Sequence, residues 1–364
     1  MGRFRSGYNN YRGRRTVTDI LKWIAIVLGV LVVVMLGVLF FAQEDLVFTD
    51  SGLKWPDPFA QTGGAQSTQE SGEINVVIQP PAGSESSSQE ETGAVPETGE
   101  EMSGLELPVS AVLDGTDQDQ LTAAGANALI LEMKDTEGKL GWSSQQPLAV
   151  QGGVNSTQSG VNEALQTWNQ GDVYTIARVC CFRDNTMPYQ HNNMALRANY
   201  GNWRDELGLR WLNPDSQEVW DYLSGLCGEL AQLGFDEIVL ECCAFPTQGN
   251  LEAIVHNGSY GTGEFQTAIE SFLQQVQTAI EPYGTTLSIQ ASRNEVSGTV
   301  SGSGLTGAVL EQYADRIWMI QDHLEPQLAS LLENAGVTQA ETRLVEQEET
   351  DQGTYQVQGR LPQN

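Results

Sequence analysis

Two nearly apolar runs in this chain carry acids close to their C-terminal ends. In Asn127-Ala128-Leu129-Ile130-Leu131-Glu132-Met133-Lys134-Asp135 the polar groups cluster at the end. In Gly234-Phe235-Asp236-Glu237-Ile238-Val239-Leu240-Glu241-Cys242-Cys243-Ala244-Phe245-Pro246, Glu241 stands just before a turn marked by proline. Short apolar runs of this kind suit parallel strands buried on both faces. The carboxyl ends of such strands are where α/β enzymes hold their reacting groups. A third run, Val173 to Phe182, contains Arg178. Period-two alternation places Glu132 with Lys134 on one face, and Val239, Glu241 and Cys243 on one face. If the Glu132 and Glu241 faces point inward, Arg178 on the strand between them does too. An arginine between two acids has two readings. It holds one acid ionised while the other keeps its proton and donates it, or the trio is a charge-balanced filling of the interior.

Positioning those side chains requires a repeating strand–helix frame. Val109 to Leu113 reads as a first strand, Val161 to Trp168 as a helix, and Arg183 to Arg210 as a long polar loop. Asn213 caps the next helix, Pro214 suits its first turn, and Gly234 ends it. Within it Val219, Leu223, Leu226, Cys227, Leu230 and Leu233 recur at helical spacing. Phe265, Ile269, Phe272, Val276 and Ile280 line a further helix, followed by strands at Leu287–Gln290, at Asp315–Ile320 and near Glu341–Val345. Alternating strands and helices predict an α/β fold, a (β/α)8 TIM-barrel-like domain over 105–346. The last unit is short, and 347–364 reads as a polar tail.

The preceding residues differ in kind. The basic segment 1–22 carries six of the 18 Lys+Arg and one of the 47 acids. The uncharged run Trp23 to Ala42 is about 30 Å long as a helix, the thickness of a bilayer core. Gln43-Glu44-Asp45 follows it in place of a small-residue cleavage site. These features predict a signal anchor with the N-terminus cytoplasmic and the rest outside the membrane. Residues 43–104 form an acidic linker, low in complexity and dominated from Ala60 to Ser103 by Gly, Ser, Thr, Gln, Glu and Pro, with one apolar segment at Ile74–Ile78. The net charge of −29 excludes nucleic acid as a partner of the part beyond the span. Five cysteines, none in a CxxC spacing, give no zinc site and read as small buried apolar residues. His191 and His256 support no triad, and no glycine pattern supports a phosphate loop, so no metal or cofactor is predicted.

Several of these segments recur together elsewhere. Asn127 to Asp135, Ile176-Ala177-Arg178-Val179, Phe182-Arg183-Asp184, Trp203-Arg204-Asp205, Trp211-Leu212-Asn213-Pro214, Val219-Trp220-Asp221-Tyr222 and Gly234 to Pro246 resemble a bacterial family of glycoside-hydrolase-like TIM-barrel domains of unknown function. The resemblance runs roughly from Val109 to Val345. It departs at Glu241-Cys242-Cys243-Ala244-Phe245-Pro246, where the family usually has Asp-Tyr-Val/Ile-Arg-Phe-Pro. The resemblance implies a carbohydrate site at the barrel's C-terminal face and a polysaccharide or cell-wall glycan as partner. Hydrolysis of a glycosidic bond needs two carboxylates flanking it. Under this reading Glu241 is one, Asp135 or Glu132 the other, and Arg178 and Lys134 support them. Asp135 also suits a turn before Gly138. Trp203 and Tyr200 are candidates for stacking on sugar rings, and Asp322 and His323 lie after the sixth strand at a suitable height. The rival expectation is a degenerate barrel that binds glycan or an envelope protein without turnover.

Overall fold

Eight strands follow one another round a closed barrel in chain order. They are β1 (Glu101–Leu107), β2 (Ala128–Lys134), β3 (Tyr174–Cys180), β4 (Glu237–Glu241), β5 (Thr286–Gln290), β6 (Arg316–Ile320), β7 (Leu344–Glu349) and β8 (Tyr355–Arg360). The first seven run parallel, and β8 closes the ring antiparallel to both β7 and β1. This computed structural model describes residues 48–49, 52–53, 100–300, 302–321, 327–349 and 355–362. The chain divides into units Met1–Glu90 and Glu91–Asn364, and the first contributes an antiparallel pair, Phe48–Thr49 with Gly52–Leu53. Among the described residues no helix is long and apolar enough to cross a membrane. Trp23–Ala42 and Ile74–Ile78 lie outside the described residues, as do Asp322 and His323.

The (β/α) barrel expected from the alternating pattern is present, with two corrections at its ends. Val109–Leu113 is not a strand: Val109–Asp114 is a helix entered from Pro108, and the first strand is Glu101–Leu107, which begins inside the stretch read as linker and runs across its boundary at 104. The polar stretch after Glu346 is not a tail throughout, because β7 continues to Glu349 and Tyr355–Arg360 forms the eighth strand. Both misreadings have one cause. An antiparallel pair at the closure needs only one buried face, so its strands are half polar and carry no continuous apolar run.

Two apolar layers hold the frame. Met102, Ala128, Ile130, Ile176, Val239, Trp318, Val345 and Val357 pack together inside the barrel. Gly104 fits there because a Cβ would lie 2.6 Å from Val357. Outside it, α1 (Gln217–Gln232) and α2 (Phe265–Ile280) lay apolar faces on the sheet. From α1 these are Val219, Leu223, Leu226, Cys227 and Leu230, and from α2 Ile269, Phe272, Leu273 and Val276. Each large aliphatic or aromatic side chain among them contributes about 1.5–3 kcal/mol by leaving water. Helix α1 starts later than its sequence signals suggest. Ser216 is its N-cap residue, while Asn213 Oδ1 accepts the Asp215 N–H at 3.3 Å in a turn ahead of it. Gly234, at φ 92°, turns the chain from α1 into β4 as expected.

Candidate functional site at the barrel mouth

Alternation along β3 and β4 brings Arg178 and Glu241 together at the C-terminal end of the barrel. Arg178 Nε donates to Glu241 Oε1 at 2.8 Å and Nη2 donates to Oε2 at 2.9 Å, a two-pronged pairing that uses both carboxylate oxygens. The remaining Nη1 donates to Glu106, on β1. Arg178 is 6% exposed and Glu241 8%. Burial opposes the guanidinium charge, but Glu241, with Glu106 and Glu132 adding, raises its pKa above the ordinary value, so it stays charged. One cation therefore holds carboxylates from two strands.

Glu132 completes the group from β2. Its backbone pairs in register with Arg178, and its side chain is exposed in the open mouth. Partial desolvation by the surrounding wall pushes its carboxyl above the ordinary range. Asp135, Glu106 and Glu241 push the same way, and Arg178 opposes them. Of the three acids around Arg178, Glu241 is fixed by the guanidinium and Glu132 stands open to an incoming molecule. Sequence reasoning missed Glu106. The signal that could have found it is the alternation Met102, Gly104, Glu106 within a stretch dominated by polar residues.

Lys134 does not share the Glu132 face. A bulge between Glu132 and Lys134 breaks the alternation, since the register passes from Glu132↔Arg178 to Lys134↔Val179. Lys134 is instead wholly buried, 3.0 Å from Asp184 Oδ2, and donates to the Cys180 carbonyl oxygen at 2.7 Å. Burial lowers its pKa, but Asp184 outweighs that and keeps the ammonium charged. Asp184 in turn accepts the Thr186 and Met187 N–H groups at 3.0 and 2.8 Å. Lys134 thus ties β2 to the loop after β3. Gly138 packs against this pair, where a Cβ would fall 2.2 Å from Asp184 Oδ1. Asp135 shapes the adjoining turn: its Oδ1 accepts the Lys139 N–H at 2.7 Å, and its own N–H donates to the Lys139 carbonyl at 3.1 Å.

A cavity of about 740 Å³ opens at this end of the strands and reaches Cys242, the residue after Glu241. Arg183, Trp211, Cys242, Gln290, Arg293 and Glu295 are among its walls. Asp205 orders one side, pairing with Arg183 Nε at 2.9 Å and accepting Trp211 Nε1 at 3.1 Å. On the barrel side Gln290 Nε2 donates to Gln347 Oε1 at 2.8 Å, which leaves the buried Gln347 Nε2 without a hydrogen-bond acceptor. A larger cavity of about 820 Å³ lies at the opposite end of the strands, around Asp315, Arg316, Arg343 and Arg360. It is remote from Glu241, Arg178 and Glu132.

The aromatic candidates separate. Trp203 is not a sugar platform: it is fully buried, donates Nε1 to the Asn250 carbonyl oxygen at 2.9 Å, and meets Trp211 edge-on at 6.1 Å. Trp211 is buried among these groups, with Arg183 over its ring at 5.5 Å. Tyr200 is 60% exposed, in the short hairpin formed by Arg197–Ala198 and Gly201–Asn202 within the long loop after β3. Among the described residues no group of three or more His, Cys, Asp and Glu is placed to hold a metal ion.

A family model described as a "putative glycosyl hydrolase domain" matches residues 109–320. Among solved structures, the chain is similar to a hypothetical protein from Ruminiclostridium thermocellum, with 27% identity over 51% of this chain and 96% of that one and a TM-score of 0.44. It is also similar to the PgaB (BpsB) glycoside hydrolase domain from Bordetella bronchiseptica, at 11% identity over 67% and 82% of the two chains, TM-score 0.46. For the glycoside hydrolase domain of a PelA variant from Pseudomonas aeruginosa the values are 11%, 54% and 60%, with a TM-score of 0.33. No curated protein matches the chain.

Proposed function

For a chain that belongs to this glycosyl hydrolase domain family, we propose hydrolysis of a glycosidic bond in the barrel mouth. The observation that carries it is the pairing of unlike carboxyls. Glu132 is open to solvent and disposed to keep its proton, while Glu241 lies below it in contact with a charged guanidinium. Glycosidic cleavage asks for that division: one carboxylic acid protonates the leaving oxygen, and one carboxylate supports the developing oxocarbenium charge, directly or through water. Glu132 is the acid and Glu241 the carboxylate. Arg178 orients Glu241 through both of its oxygens, and Glu106 pairs with the same guanidinium. The adjoining cavity, with Arg183, Trp211 and Gln290 in its walls, gives a chain of sugars room beside the acids. The substrate class is an envelope or extracellular polysaccharide, reached by a domain anchored through Trp23–Ala42 with its barrel outside the membrane. The basic residues before that span and the acidic stretch after it support this placement.

A second reading has its own observation. Both oxygens of Glu241 are occupied by Arg178, a clamp that fits a barrel binding glycan without turnover as well as one that cleaves it. Wild type and Glu241→Gln, incubated with cell-wall and exopolysaccharide preparations, separate the two when both released reducing ends and bound glycan are measured. Hydrolysis predicts release by the wild type and little by the variant. Binding without any release from the wild type supports the second reading, and equal release from both proteins removes Glu241 as a catalytic residue.

A further inference from the structure

We propose that Cys242 and Cys180 form an oxidisable dithiol at the edge of the barrel mouth, with Cys242 the thiol attacked first and Cys180 the one that closes the disulfide. Cysteines Cys181, Cys227 and Cys243 are fully enclosed and behave as apolar filling, with burial pushing the Cys227 thiol up to about 12. Cys242 differs from them in three ways. It is only partly buried and forms part of the wall of the 740 Å³ cavity, so a small oxidant reaches it. Its backbone is held at φ 47°, a left-handed conformation unfavourable for a residue with a Cβ and found where a fold fixes a side chain's direction. Its thiol lies close enough to that of Cys180 to influence it, while the Cys180 S–H donates to the Arg183 carbonyl oxygen at 3.3 Å.

The backbone makes the pair close enough to join. Cys180 is in register with Glu241, the residue before Cys242. The ladder continues one step further, as Cys181 N–H donates to the Glu241 carbonyl at 2.7 Å and Phe182 N–H to the Cys242 carbonyl at 3.1 Å. Adjacent strands are about 4.7–4.9 Å apart and each residue rises about 3.3 Å along a strand, so a pair offset by one residue has Cα atoms about 6 Å apart, within the about 4.4–6.8 Å that a disulfide spans. The neighbouring Cys180 thiol is the main influence drawing the Cys242 thiol below its ordinary range; burial opposes it, and the Arg183 guanidinium assists. The Cys242 thiol, with burial, pushes the Cys180 thiol up. The two sulfurs thus have unlike characters, one nucleophilic and one held in reserve.

The oxidant class is a peroxide. The Cys242 thiolate attacks one peroxide oxygen, the O–O bond breaks, and hydroxide or alkoxide leaves. Sulfur is oxidised to a sulfenic acid and the peroxide is reduced. Cys180 sulfur then attacks the sulfenic sulfur: the S–S bond forms, the S–O bond breaks, and the departing hydroxide takes the Cys180 proton as water. A thiol reductant reverses the result. The bond would join β3 and β4 just beyond Arg178 and Glu241, and its formation does not depend on whether the mouth turns over a glycan.

The test is chemical. The reduced full chain is treated with hydrogen peroxide, then blocked, digested and mapped by mass spectrometry. A parallel sample is titrated with iodoacetamide under native conditions. The proposal predicts loss of two hydrogens, a Cys180–Cys242 linked peptide that dithiothreitol dissolves, and alkylation of Cys242 at least about tenfold faster than of Cys181, Cys227 or Cys243. In Cys180→Ala, a dimedone adduct at Cys242 replaces the linked peptide. Should that variant fail to fold, the map of the wild-type chain decides alone. Linkage between any other pair, Cys242 oxidised past the sulfenic stage while Cys180 remains a thiol, or Cys242 reacting no faster than the enclosed cysteines would overturn it.

Discussion

Among the described residues the barrel interior holds two arginine–carboxylate groups at different levels, one on each side of the Val239 layer, and they are built differently. At the floor, Glu237 of β4 is fully buried and surrounded by donors. Ser288 Oγ donates to its Oε1 at 2.6 Å, Trp318 Nε1 to the same oxygen at 2.8 Å, and Tyr174 Oη to Oε2 at 3.1 Å, while Arg316 pairs with Oε2. At the mouth, four residues further along the same strand, Glu241 is held among the described residues by Arg178, which also pairs with Glu106 below the open Glu132. At the floor both oxygens of Glu237 have partners from other strands. Around the mouth, among the described residues, three acids surround Arg178 and Glu132 faces solvent. A closed floor fixes the barrel's geometry, and the exposed carboxyl toward the mouth is open to a ligand.

That contrast breaks most visibly at the floor. Arg316→Met leaves Glu237 buried without its counter-charge and should cost about 3–5 kcal/mol of stability. Denaturant midpoints measure the loss, while glycan release or binding by the remaining folded protein stays close to wild type. Arg178→Met should cost less, about 1–3 kcal/mol, because Glu106 and Glu241 sit at the end of the barrel that water can reach. Unlike the floor variant, it should abolish function. Equal stability losses from the two would mean that the mouth is as structural as the floor.

Glu132→Gln sharpens the comparison further. An exposed carboxyl bearing no structural load changes stability by no more than about 0.5 kcal/mol. Removing a general acid lowers turnover by about 10²–10⁴-fold, read as reducing ends released. A smaller effect concerns pH. Because the Glu132 pKa is raised in the folded chain, the native state holds this proton to a higher pH than the unfolded chain does. The stability it contributes is therefore complete below the ordinary glutamate range and is lost as pH rises through the folded value. Urea midpoints across that window should decline with pH in the wild type, and less so in Glu132→Gln.

How much of this was legible in the sequence depended on the kind of strand. β2, β3 and β4 are buried on both faces, so their apolar runs and the interruptions by Glu132, Arg178 and Glu241 stand out. Alternation along β3 and β4 then aligned Arg178 with Glu241 correctly, and the placement of Glu237 away from the mouth followed from the same strand. The bulge after Glu132 carries no residue signal of its own, which is why Lys134 was expected beside it. Glu106 and the eighth strand were hidden because β1 and β8 support one another from sequences with few apolar residues, Glu101–Leu107 and Tyr355–Arg360. Trp203 illustrates the remaining limit: its loop is polar, but the loop folds over it and supplies a carbonyl for its indole N–H.

Central to the proposed chemistry is a Glu132 carboxyl that keeps its proton above the ordinary glutamate range beside a Glu241 clamped by Arg178. Carbon-detected NMR titration of the side-chain carboxyls, with Glu132→Gln to assign the resonance, tests it without knowledge of the substrate. The account predicts a Glu132 midpoint above the ordinary glutamate value of 4.5. A Glu132 midpoint at or below that value would contradict it, because no carboxylic acid would then be poised in the mouth to donate.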